Sequence, residues 1–307
     1  MFSFYKNRYK FLILSLVALV AGIIVLAIFG LNLDIQFKGG SILKYTFEGE
    51  IDLTKADEIV ESTLGKSATL QETVDLSTDR KNLVVSVAGD EALSTEDQTA
   101  LRTALNENFA ENNIEVKETN VVDPFIGKET LNKGLLAVVI AAVLIVFYVW
   151  IRFRTISGPS AGVFSLLALL HDVVLTFFVF ILLRTPLNDT LIAVMLSILG
   201  WSVNDTIVIF DRIRENSRLR EGKETLPEMV DRSINQMLTR SITTSVCAFI
   251  AVGIAYGFAL YYNIESIRHF ALPMMIGIVI GTYSSIFLAT PFWAQWMTRG
   301  GRVGFES

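Results

Sequence analysis

Two carboxylates stand inside long apolar runs, and they are the residues of this chain best placed to do chemistry. Asp172 lies 14 residues after Gly158 and 12 before Arg184, with His171 beside it. Asp205 lies six residues before Asp211, which at about 1.5 Å per residue sets it roughly 9 Å inside the end of its run. An ionised group at the centre of a span costs about 2.5–3.5 kcal/mol, so a carboxylate kept there is a candidate for binding and releasing protons. Asn204 already offers a polar contact without ionisation, which sharpens the case for Asp205 beside it. Ser197, Gly200, Trp201, Asn204 and Val208 recur at helical spacing and predict a small, polar strip turned toward other helices. Arg240 opens the following apolar run, and from there its side chain is expected to reach inward to Asp205. Such a carboxylate would alternate between a proton and an arginine as its partner. The structural alternatives are an Arg240 that only snorkels to the interface and a His171–Asp172 pair that is a static interhelical hydrogen bond.

Six apolar runs must position these groups: Phe11–Leu31, Gly134–Ile151, Gly158–Leu183, Leu187–Phe210, Ser241–Tyr262 and Phe270–Met297. Each meets or approaches the roughly 20 residues that a helix needs to cross the hydrocarbon layer. The chain has 307 residues, 52% hydrophobic and 19% charged, too little polar sequence to cover six buried helices in a soluble protein. The first run follows Lys6, Arg8 and Lys10 but exceeds the roughly 7–15 apolar residues of a cleavable signal, and no A-x-A site follows, so it reads as an uncleaved signal-anchor. The single cysteine, Cys247, excludes a disulfide within the chain and any thiolate metal cluster.

Orientation follows the lysines and arginines of the short loops. Lys6, Arg8 and Lys10, then Arg152 and Arg154, then Arg212, Arg214, Arg218, Arg220, Lys223 and Arg232, and finally Arg299 and Arg302 fall on one side. The alternate short loops hold only Arg184 and Arg268. Both termini and the loop 211–240 are therefore expected in the cytoplasm, with residues 32–133 outside. That outer segment carries 20 acidic and 10 basic residues, a net −10 against +5 for the remainder.

Residues 32–133 read as an α+β domain inserted between residues 1–31 and the membrane helices of residues 134–307. Ser41–Phe47 alternates Leu43, Tyr45 and Phe47 with Ile42, Lys44 and Thr46, the period of a half-buried strand. Residues 54–64 place Ala56, Ile59 and Leu64 on one helical side, and Gly65 suits its end. Thr69–Leu76 and Leu83–Ala88 read as strands about a turn at Thr78, Asp79 and Arg80. Ser94 with Asp97 resembles a capping box opening a helix with Leu101, Leu105 and Phe109, and Ile114–Val122 is a last strand. The order β-α-β-β-α-β predicts a ferredoxin-like split fold. Among the spans, Gly158–Gly162, Gly253–Gly257 and Gly277–Gly281 each have the spacing that lets two helices approach closely. Neither G-x-S-x-G nor H-E-x-x-H occurs, so an enzyme is not expected.

The run N-D-T-I-V-I-F-D-R-I-R-E-N at Asn204–Asn216 resembles the SecD/SecF family of protein-export membrane proteins. Matching segments follow in the family's order: Ala168–Asp172, Thr239–Arg240 before Thr243–Ser245, and Gly281–Phe287. The resemblance covers essentially the whole chain, by motif in the spans and by size and fold pattern in the outer domain. One departure stands after the first run, where Gln36 occupies the family's usual carboxylate position and Asp34 sits two residues earlier. The resemblance implies a bacterial cell-membrane subunit that pairs with a SecD-like subunit, associates with the SecYEG channel and uses the proton gradient to assist a translocating polypeptide. It also implies kinship with the resistance-nodulation-division transporters. Neither a cofactor nor a nucleic-acid partner is implied. By carry-over Asp205, Arg240 and Asp172 are the relay candidates, with Asn204, Thr206, His171, Asp211 and Arg212 in support. Two other functions compete: a non-conducting structural subunit, and a half-size exporter of small molecules or lipids.

Overall fold

The computed structural model describes residues 2–34, 37, 40–66, 68–75, 80–88, 93–122, 124–156, 158–219, 224–262 and 264–299. Gln36, most of the segment around it, the turn residues Thr78 and Asp79, and the cations Arg220, Lys223 and Arg302 lie outside them.

The inserted domain is built as its alternation predicts. Strands β1 (Gly40–Phe47), β2 (Ala68–Asp75), β3 (Arg80–Ala88) and β4 (Glu115–Val122) form one antiparallel sheet in the order β2-β3-β1-β4. With helices α2 (Leu53–Leu64) and α3 (Thr95–Asn108), this is the ferredoxin-like arrangement. Leu43, Tyr45 and Phe47 point into a core closed by Ala56, Ile59, Val60, Leu101 and Leu105. Gly65 ends α2 at φ 62°, a left-handed position that glycine adopts without a Cβ clash. Ser94 Oγ accepts from Asp97 N at 3.0 Å at the head of α3. Burial pushes the Tyr45 phenol up to about 12.

Among the described residues, six helical segments are long and apolar enough to cross a membrane. They are α1 (Phe4–Phe29), α4 (Pro124–Arg152), α5 (Gly158–Leu182), α6 (Asp189–Arg218), α7 (Leu226–Tyr261) and a last, composite one. The composite span joins α8 (Glu265–Ser284) to α9 (Thr290–Arg299) through a π turn at Ser285–Ala289. Helix α1 begins earlier than its apolar run, so Lys6, Arg8 and Lys10 are helical. Its start is held by Asp231, which accepts from Ser3 Oγ at 2.6 Å and Tyr5 N at 2.9 Å. Residues 211–240 are mostly helix as well, because α6 continues to Arg218 and α7 begins at Leu226.

Helices α1, α4 and α7 turn most of their apolar residues outward, as with Val143, Leu144, Ile250 and Ile254. The buried residues of the bundle concentrate on α5, α6 and the composite span. Their close approach depends on two glycines: a Cβ at Gly277 would meet Ile198 Cδ1 at 2.0 Å, and one at Gly281 would meet Ser202 Cβ at 3.0 Å. Of the other two expected pairs, Gly158–Gly162 also sits close to its neighbours: a Cβ at Gly158 would meet the Trp150 carbonyl at 2.3 Å, and one at Gly162 the Val146 carbonyl at 3.4 Å, both on α4. On α7, a Cβ at Gly253 would meet the flexible end of Met275 of α8 at 3.3 Å, whereas one at Gly257 would meet nothing within 4 Å, so only the first of these two glycines lies at a close helix contact within the chain.

Candidate functional site

The buried polar side chains of the bundle gather where α5, α6, α7 and α8 meet. Asp172 on α5 is 0% exposed. Its Oδ2 accepts from Ser202 Oγ of α6 at 2.6 Å and Ser284 Oγ of α8 at 2.7 Å, and its Oδ1 lies 3.0 Å from His171 Nδ1. The His171 side chain is 8% exposed, and its Nε2 has no hydrogen-bond partner among the described residues. The pair is thus interhelical through Asp172, joining three helices at one carboxylate.

Asp205 on α6 is 2% exposed and faces the opposite side of the α6–α8 contact, toward α7. Its Oδ2 accepts from Thr282 Oγ1 at 3.2 Å and Ser245 Oγ at 3.4 Å. These two hydroxyls lie 2.6 Å from each other, and Thr282 Oγ1 is also 2.9 Å from the Ile278 carbonyl. A hydroxyl has one proton to donate. Two protons therefore serve the carboxylate, the carbonyl and the hydroxyl pair, and an ionised Asp205 is under-supplied with donors. A protonated Asp205 has an O–H of its own, which can donate back to Ser245 or Thr282. The cage accepts either form. Ser245 and Thr282 also line an apolar groove of about 420 Å³ between α7 and α8, so a single layer of hydroxyls separates Asp205 from the outer surface of the bundle.

Between the two carboxylates runs a further buried set. Thr206 Oγ1 lies 2.8 Å from Ser285 Oγ, and both reach the Ser202 carbonyl at 3.2 Å. The π turn places Ser285 there, and Thr290 Oγ1 donates to the Ser285 carbonyl at 3.3 Å across five residues.

Arg240 does not meet Asp205. It is exposed at the head of the apolar part of α7, and its carbonyl accepts from Thr244 Oγ1 at 3.0 Å. Five residues separate it from Ser245, which at about 100° per residue is roughly 140° around the helix, so the two cannot face Asp205 together. The strip expected to face other helices also turns out differently. Gly200 and Asn204 are exposed, with Ser197, Trp201 and Val208 partly so, while Ile198, Leu199, Ser202, Asp205, Thr206 and Ile209 form the packed face. The expected strip was one residue, about 100°, out of phase with Asp205.

Asp211 and Arg212 lie beyond the hydroxyl cluster. Asp211 Oδ1 pairs with Arg152 Nη2 at 3.1 Å and Arg214 Nη2 at 2.5 Å, tying α6 to α4. Arg212 reaches Glu215 and, through Nε at 2.7 Å, Gln236 on α7. The residues that sequence reasoning did not assign are Ser202, Ser245, Thr282, Ser284 and Ser285. Ser245, Thr282, Ser284 and Ser285 fall in the segments that resemble the family, but neither that nor the recurrence of hydroxyls in apolar spans says which carboxylate they serve.

Residues 102–299 match the family model described as protein export membrane protein SecD/SecF, C-terminal. A protein translocase subunit SecF from Alicyclobacillus acidocaldarius is 36% identical over 298 residues, covering 94% of this chain and 91% of the relative. One from Thermodesulfovibrio yellowstonii is 33% identical, covering 94% and 92%. The chain superposes on SecDF, a translocon-associated membrane protein from Thermus thermophilus, with a TM-score of 0.79 and 29% identity over 97% of its length. It also superposes on SecDF in a super-membrane-facing form, with a TM-score of 0.70 and 30% identity. In both cases it spans only 39% of the solved chain. With this family match and near-full-length identity, the chain, a multi-pass bacterial membrane protein, belongs to the SecD/SecF family of protein-export membrane proteins.

Proposed function

We propose that the chain is an accessory subunit of the Sec protein translocase that couples the proton-motive force to the late movement and release of secreted polypeptides. The observation that carries this reading is the Asp205 cage: a buried carboxylate, short of donors as an anion and satisfied as an acid, one hydroxyl layer from a groove. Asp205 takes up a proton, its preference among Ser245, Thr282 and its own O–H changes, and α7 and α8 shift against α6. Each charge moved across the membrane is worth about 2.3 kcal/mol per 100 mV, so a few protons suffice to drive a domain shift. The termini lie in the cytoplasm and residues 32–133 outside, where that shift is applied to a translocating polypeptide. A SecD-like subunit and the SecYEG channel complete the assembly. Arg240 joins the relay only in a second conformation, in which α7 has turned. Asp172, with three short contacts, is the anchor of the bundle rather than its moving part.

The test is Asp205→Asn in the assembled complex. Proton-gradient-dependent secretion should fall to the level seen without a gradient while the subunits still co-purify. Full activity in that variant removes Asp205 from the mechanism.

A scaffold that conducts no protons is the second reading, and the outward strip on α6 favours it. Gly200 and Asn204 are exposed on one face of α6, which suits docking of a second subunit's helix. Proton flux into vesicles holding the chain with its SecD-like partner separates the two. Absent flux, together with loss of the partner when the chain is deleted, selects the scaffold.

A further inference from the structure

At the ends of α1 and α5 that lie nearest the inserted domain is a cavity of about 310 Å³. Its wall has two chemistries: Phe29, Ile181 and Leu187 on one part, Asn32, Arg184 and Thr185 on the other. Among the described residues no carboxylate lines it. Arg184 follows α5 in the left-handed region at φ 52°, which is rare for a residue with a Cβ. The turn is fixed by Arg184 N donating to the Ile181 carbonyl and Thr185 N to the Phe180 carbonyl, both at 3.1 Å. It lays the guanidinium 4.6 Å from the centre of the Phe29 ring, beside the cavity. Among the described residues no acid pairs with Arg184. Thr185 is only 7% exposed and lines the cavity. The rim is closed by Leu187 N donating to the Asn32 carbonyl at 2.8 Å and Asp34 N to the Leu187 carbonyl at 3.1 Å.

We propose that this cavity binds the phosphate of an anionic phospholipid, with Arg184 and Thr185 as its donors. A guanidinium recognises phosphate through charge-assisted hydrogen bonds, and the Thr185 hydroxyl in the same wall can supply one more. The position fits a lipid rather than a free anion. Arg184 is two residues past the end of α5, at headgroup depth, and Phe29 and Ile181 present apolar surface where the first carbons of the acyl chains would lie.

Native mass spectrometry of the full chain in neutral detergent tests this, with titrations of phosphatidylglycerol, phosphatidylcholine and inorganic phosphate. One phosphatidylglycerol should be retained at least tenfold more tightly than phosphatidylcholine. Arg184→Asn, which tolerates the same backbone, should lose at least tenfold, and Thr185→Val a few-fold. Inorganic phosphate in excess should not displace the lipid. Equal retention by wild type and Arg184→Asn overturns the site, and displacement by inorganic phosphate overturns its assignment to a lipid. Should Arg184→Asn fail to fold, Thr185→Val decides alone: unchanged retention rejects the proposal.

Discussion

Asp172 and Asp205 are both carboxylates in apolar spans, but the protein treats them differently. Asp172 has three contacts of 2.6–3.0 Å from three different residues, whereas Asp205 has two of 3.2 and 3.4 Å from hydroxyls that have closer partners. Buried polar groups that serve only structure are normally fully hydrogen-bonded. Depth alone would rank Asp172 first, since it is the more buried of the two. What separates them is the supply of donors.

The largest effect that can break this comparison is on Asp172. Asp172→Leu leaves Ser202, Ser284 and His171 without their acceptor, a loss on the order of 3–5 kcal/mol, read as a lowered unfolding transition in micelles. Asp172→Asn keeps an oxygen for both serines and should fold and secrete nearly normally. If instead it folds but loses gradient-dependent secretion, as Asp205→Asn is expected to, the two sites are not different in kind. Gly281→Ala should cost about 1–3 kcal/mol, because its Cβ at 3.0 Å from Ser202 pushes α8 from α6 between the carboxylates. Thr282→Val removes one of the two donors to Asp205; it should slow gradient-dependent secretion several-fold while lowering stability by about 1 kcal/mol. The smallest effect belongs to Gly257→Ala, which meets nothing within 4 Å and should be neutral, or stabilising by less than about 1 kcal/mol through helix propensity.

Much of this molecule is legible along the chain. The alternation of Leu43, Tyr45 and Phe47 identifies β1 and its inner face, because a strand buries every second residue. Gly65 and Ser94 mark helix ends through chemistry confined to a few neighbouring residues. The site was legible only in part. Asp172 and Asp205 stand out because a charge in hydrocarbon is anomalous wherever it points. Their partners do not stand out, since Ser202 is 30 residues from Asp172 and Ser284 is 112. The outward rotation of Asn204 and the separation of Arg240 from Asp205 were read otherwise from the sequence, because in a membrane helix both faces are largely apolar and periodicity does not say which one is packed.

Composition, run length and local spacing therefore determined six spans, one inserted split-fold domain and two anomalous acids, since each follows from how nearby residues meet water, lipid or the backbone. Which hydroxyls reach which acid, and which side of α6 is enclosed, was decided only by helix packing at Gly277 and Gly281 and by the π turn at Ser285–Ala289. Those choices depend on rotation and contact between distant segments, and a change of about 100° in one helix alters them without altering any local signal.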